Sequence, residues 1–159
     1  PYVTFLHMDE DGAFAMMAWI WILGLNGRID EADPIVRRLT DEHGDTPFAS
    51  SGEALYHAFR GEPHRAVEAI TPAFKDAAQH TEMFSRFLAD CYALAGEVEE
   101  ALRWLERNVE IGMANYPWLT RLDPALENIR GTARFRRILE GVEAEWRAFR
   151  DDAVAVSEA

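Results

Sequence analysis

"LADCYALAGEVEEALRWLE", residues 88–106, sets two helical stripes on either side of one glycine. Leu88, Tyr92 and Ala95 share one helical face, while Val98, Ala101, Leu102 and Leu105 share another. Between them stands Gly96, a residue free to adopt the left-handed conformation that ends a helix and turns the chain. The stretch predicts a helix, a tight reversal and a second helix. Ala101 is small enough to let the two cross closely.

The same phrase recurs upstream. Gly27 and Ala32 in "NGRIDEA", Gly61 and Ala66 in "RGEPHRA", and Gly96 and Ala101 in "AGEVEEA" keep one glycine-to-alanine spacing. The glycines lie 34 residues apart (61 − 27) and then 35 apart (96 − 61). Nine residues after each glycine comes Val36, Ile70 or Leu105, and four before each stands Leu23, His57 or Tyr92. Several features recurring in phase point to a tandem helical repeat. Thr46 followed by Pro47 reads as an N-cap with proline at the first helical position. The apolar run Phe14 to Leu25 becomes the first helix of the first unit. Its twelve residues fall short of the roughly 20 that a bilayer-spanning helix needs. A helix apolar all round belongs in a stack, covered by neighbours on several sides.

These residues resemble a tetratricopeptide repeat. The third unit carries Leu88, Ala89, Tyr92, Gly96, Ala101 and Leu105 at the signature places. The first keeps Trp19, Leu23, Gly27, Ala32 and Val36 but has bulky Ile20 where a small residue is usual. The middle unit keeps Ala54, Gly61, Ala66 and Ile70, with Glu53 and His57 where apolar or aromatic residues belong. Its second helix also contains Pro72, at a usual cost of about 3 kcal/mol or a kink. The resemblance implies an all-α fold of three helix pairs in a right-handed superhelix. The units span about 13–46, 47–81 and 82–113, after a lead-in over 1–12. Capping helices follow over 114–150 and a tail over 151–159. In the capping region Asp123-Pro124 starts a helix, Arg130-Gly131-Thr132 is a break and a new N-cap, and Phe135, Ile138, Leu139, Val142 and Trp146 form an apolar stripe. A solenoid needs such a closing element. "DPALENIRGTARF" is similar to endings of repeat regions in bacterial multidomain regulators, and the opening on Pro1 points to a piece of a longer protein.

The formal charge of −12 argues against general nucleic-acid binding and favours a basic partner. Asp9, Glu10 and Asp11 precede the apolar run, the reverse of a secretory signal. Cys91 is the single cysteine, so no internal disulfide forms, and a reducing, cytoplasmic setting fits. His-Glu-x-x-His, phosphate-loop and nucleophile-elbow motifs are absent from the sequence. "DEHGD", Asp41 to Asp45, reads as a solvated loop, Glu53 and His57 as a helical pair, and Cys91 as a small buried hydrophobe. Arg130, Arg134, Arg136 and Arg137 read as a helix face paired with Glu140 and nearby acids.

The expectation is therefore a non-catalytic protein-interaction scaffold or regulatory module without cofactors, taking a protein or peptide in a concave groove. The resemblance puts the groove-lining places 13, 10, 6 and 2 residues before each repeat glycine. These are Phe14, Met17, Trp21 and Leu25; Phe48, Ser51, Leu55 and Phe59; Met83, Arg86, Asp90 and Leu94. Alternatives are a sensor for a small apolar ligand enclosed by Trp21, Phe48 and Phe59, self-association, or an enzyme built on Glu53, His57 and the Asp41–Asp45 cluster. With one cysteine and no paired helical histidines, the fold should not depend on zinc. Prolonged chelation is expected to leave the melting temperature unchanged; a large drop would reopen "DEHGD" as a ligand set.

Overall fold

The computed structural model describes residues 12–157. His7, Asp9, Glu10, Asp11 and nearly all of the expected lead-in lie outside them. Among the described residues every regular element is helical. The first unit pairs α1 (Ala13–Leu25) with a 3-10 turn (Ile29–Ala32) running into α2 (Asp33–His43). The middle unit pairs α3 (Pro47–Phe59) with two short helices, α4 (Pro63–Glu68) and α5 (Pro72–His80). The third pairs α6 (Glu82–Leu94) with α7 (Val98–Glu110). A π-helical turn (Trp118–Leu122), a 3-10 turn (Pro124–Leu126) and α8 (Glu127–Arg130) lead into the long α9 (Ala133–Ser157), which continues helical into the segment expected as a tail.

The reversals share one geometry. Gly27, Gly61 and Gly96 have φ of 67°, 72° and 82°. In each unit the residue after the glycine sends its backbone N–H back to the carbonyl five residues earlier: Arg28 to Leu23, Glu62 to His57, and Glu97 to Tyr92, each at 2.9 Å. This is the Schellman closure, and it satisfies carbonyls that a helix end otherwise leaves orphaned. Beyond each turn, Ala32, Ala66 and Ala101 have no exposed surface. That is the close helix crossing their spacing predicts.

Pro72 does not sit inside a helix. It opens one. The middle unit's second arm breaks after Glu68 and restarts at Pro72, with the Thr71 side chain accepting from Phe74 N at 3.3 Å. Ser50 of α3 repairs the gap. Its hydroxyl donates to Ala69 O at 2.6 Å and accepts from Thr71 N at 3.0 Å. The expected caps also form: Thr46 accepts from Ala49 N, Asp123 from Ala125 N, and Thr132 from Phe135 N.

First helices pack on first helices, α1 against α3 and α3 against α6, with α7 against α6 and α9. The last helix docks through charge as well as apolar contact. Arg134 forks onto Glu106 of α7, at 2.7 and 2.5 Å, and reaches Glu99 at 3.0 Å, so it bridges to the third unit rather than to Glu140. Arg130 donates instead to the carbonyls of Leu119 and Asp123. Phe135 and Val142 are buried. None of these helices is long and apolar enough to cross a membrane.

Ala101→Trp is expected to destabilise the protein by upward of about 3 kcal/mol, the severe end of overpacking, since its neighbourhood leaves no exposed surface. Thermal denaturation followed by helicity reads this directly. An unchanged melting temperature would show that α6 and α7 do not cross at Ala101.

Candidate functional site

Apart from Phe14, which is 37% exposed, the expected groove-lining residues are buried or half-buried. Met17, Ser51, Leu55 and Asp90 have no exposed surface and Arg86 is 7% exposed. Phe14, Phe48 and Phe84 form a row of rings across all three units, with centroids 6.0 and 5.1 Å apart, and Phe74 continues it at 5.9 Å. Phe59 lies flat against Gly24, where an added Cβ would come within 2.3 Å of its ring. Leu25, Met83 and Leu94 are half-buried. Trp21, Phe48 and Phe59 thus pack on different neighbours.

Trp21 closes the inner face. Its ring lies 5.3 Å from Phe87 of α6 and 5.9 Å from Trp118, so one side chain of the first unit meets both the third unit and the segment after it. Its indole N–H is buried and finds no acceptor among the described residues. An unmet buried donor costs about 1–3 kcal/mol. The contacts with the Phe87 and Trp118 rings offset that cost.

Next to this contact lies a buried charge cluster. Arg86 donates through Nε to both carboxylate oxygens of Asp90, at 3.2 and 3.3 Å, and through Nη2 to Asp123 Oδ2. Trp118 Nε1 donates to the same Asp123 oxygen at 3.2 Å, and the Arg86 guanidinium lies 5.1 Å from the Trp118 ring. One cation therefore serves two carboxylates that have no exposed surface. Burial pushes the Asp90 carboxyl well above its ordinary range; Arg86 opposes the shift and Asp123 adds to it. The pairing fixes the post-repeat segment on α6, because Asp123 starts the turn that carries Ala125 and Leu126 into the core.

Where these residues reach the surface they form one wall of a cleft of about 630 Å³. Trp21, Arg86, Met113 and Trp118 make this wall, Trp146 and Phe149 of α9 make the other, and Glu82, Gly112, Ala114 and Asn115 complete the lining. Trp146 leans on Tyr116 with ring centroids 6.0 Å apart. Phe149 is 76% exposed. The sequence pattern missed Trp118, Asp123 and Phe149 as site residues. The available signal was the α9 stripe, which continues from Trp146 to Phe149 at helical spacing.

The other candidates lie elsewhere. His57 is 5% exposed, and its Nδ1 lies 2.7 Å from Glu62 Oε2, so its partner is Glu62 rather than Glu53. Hydrogen bonds from His57 and Arg60 hold the Glu62 carboxyl below the usual range. With Glu53, Tyr56, Arg37 and Arg65 these groups line a polar pocket of about 400 Å³. Tyr56 donates to Asp33 at 2.8 Å, and burial with that hydrogen bond raises its phenol above its ordinary value. Asp41, Glu42, His43 and Asp45 line a separate surface pocket. Among the described residues no three His, Cys, Asp or Glu side chains are grouped to hold a metal ion. Cys91 is buried, and burial pushes its thiol well up, which makes it a poor nucleophile.

Residues 84–107 match the family model of the tetratricopeptide repeat. That segment is similar to a tetratricopeptide repeat. The matched segment spans most of α6 and α7, the unit whose sequence holds the signature most fully. No curated protein and no solved structure matches the chain.

The charge cluster of this repeat sets a pH dependence. Folded Asp90 binds its proton more tightly than the unfolded chain does, so above an ordinary aspartate value of about 4 the folded state holds more protons. Its contribution to stability is therefore full at low pH and is lost as pH rises. Asp90→Asn is expected to flatten that decline and to be at least as stable as wild type at neutral pH. Arg86→Ala strands two buried carboxylates and is expected to lose about 3–5 kcal/mol at neutral pH. Denaturant titrations across pH measure both; a steeper decline in Asp90→Asn would contradict the assignment.

Proposed function

We propose that this chain is a non-catalytic interaction module, a regulatory part of a larger assembly, that takes a segment of a partner protein in the aromatic cleft. Tetratricopeptide repeats generally mediate protein–protein interactions and are typically non-catalytic scaffolds. The cleft, not the whole concave face, is the surface this reading uses. Side chains such as Met17, Ser51 and Leu55 are covered by their own neighbours, so a partner gains nothing from them. The single buried thiol suits a reducing, cytoplasmic setting.

One observation carries the proposal. Phe149, at 76% exposure, stands on the open wall of a cleft whose other wall is Trp21, Arg86 and Trp118. A large aromatic side chain held out beside concave aromatic surface is the composition of an interface centre, where anchors contribute about 2 kcal/mol or more each. Loss of the Phe149 ring disturbs no packed core.

A photo-crosslinking side chain placed at position 149 is expected to capture a partner in cells, and the adduct should disappear when Trp146→Ala is added. The same probe at Val67, exposed on α4, should capture nothing in common with it. Equal adducts at both positions, or adducts insensitive to Trp146, would defeat the cleft as the binding surface.

A further inference from the structure

The cleft is mostly apolar, and the few charges on and beside it bear on what it can receive. Glu82, exposed, is the acid of the lining, and Arg86 is its one base. Arg86 is already held by Asp90 and Asp123. The lining and its bonded partners set the carboxylates of Glu82 and Asp123 against one guanidinium, with Asp90 pushed toward its neutral form by burial. Arg147 and Arg150, which follow on α9, are each paired as well, with Glu143 at 2.6 Å and Asp151 at 3.0 Å. The surrounding chain carries a formal charge of −12. An occupant with negative charge would meet repulsion on approach and no unpaired cation in the lining on arrival. A basic occupant is steered in.

The indoles of the cleft also receive guanidinium groups. Arg86 lies 5.1 Å from the Trp118 ring and Arg150 lies 5.2 Å from the Trp146 ring. Arg150 is a surface side chain, 55% exposed, so its place over Trp146 is one that a partner's arginine can take over without opening the core. Phe149 and Met113 add apolar lining to the same cleft.

We infer that the segment received by the cleft is basic and apolar-anchored: an aromatic or aliphatic side chain flanked by arginine or lysine. This rests on the cleft being the interaction surface, as proposed above, and adds the chemistry of its partner.

The probe is a labelled, amidated peptide of about twelve residues with a central phenylalanine flanked by arginines. Two controls replace the arginines by glutamates or the phenylalanine by glycine. Binding to the whole chain is followed by fluorescence anisotropy, with helicity recorded for every variant. The basic aromatic peptide is expected to bind at least about tenfold more tightly than either control, to weaken as salt rises, and to lose about tenfold with Glu82→Arg or with Phe149→Ser. If the glutamate peptide binds as well or better while Phe149→Ser still abolishes binding, the cleft stands and its basic preference is overturned. If the basic peptide binds equally well to Phe149→Ser and Trp146→Ala, the cleft reading fails and the inference fails with it. Absence of binding by all three peptides overturns the inference as well.

Discussion

A chain that stacks helices in pairs has to reverse within about two residues, and here the reversal depends on backbone that only glycine adopts freely. At Gly27, Gly61 and Gly96 the positive φ lets the next amide close on the carbonyl five residues back. Any side chain at these places would strain a turn that three units share. Gly112, at φ 122°, turns the chain out of the last pair in a related way. From these turns the rest follows. The second helix leaves at a fixed angle, an alanine five residues on must be small, and the residue nine on must fill the core.

The middle unit shows how the fold absorbs departures from that pattern. A proline in a helix interior loses an amide donor and clashes with the preceding turn. The chain avoids both by ending one helix at Glu68 and capping another at Thr71. The freed groups at the break are met by one hydroxyl, Ser50. His57, polar where the other units have Leu23 and Tyr92, is made compatible with burial by Glu62, one residue past the turn glycine. Each compensation is a hydrogen bond made within the middle unit itself.

The inner face shows a different economy. In a repeat stack the first helices face inward, and large side chains there either receive a partner or fill the space themselves. Here they fill it. Trp21 reaches Phe87 and Trp118, and a row of phenylalanines runs from Phe14 to Phe74. The charge cluster of Arg86, Asp90 and Asp123 then binds the following segment over the same face. A buried ion cluster of this kind specifies position more than it adds stability, because desolvation consumes much of the attraction. Its consequence is geometric: it fixes in place the segment that forms the cleft at the seam with α9.

The sequence by itself determined the helical class, the three glycine turns, the alanine crossings and the caps at Thr46, Asp123 and Thr132. Each of these rests on contacts within a few residues of the chain or on a period of the helix, and such rules can be read without knowing the tertiary arrangement. It also marked Arg86, Asp90 and Trp21 as inner-face residues. What they face was decided only by the tertiary structure. Asp123 lies 33 residues beyond Asp90, and Trp118 lies 97 beyond Trp21. No local pattern encodes that these side chains meet. The same holds for Arg134, whose partners on α7 replaced the expected neighbours on its own helix. Whether an apolar side chain meets solvent, as Phe149 does, or another ring, as Trp21 does, depends on how tightly the stack curves and where the last helix lands. Those are sums over many contacts distant in sequence, and only the folded chain evaluates them.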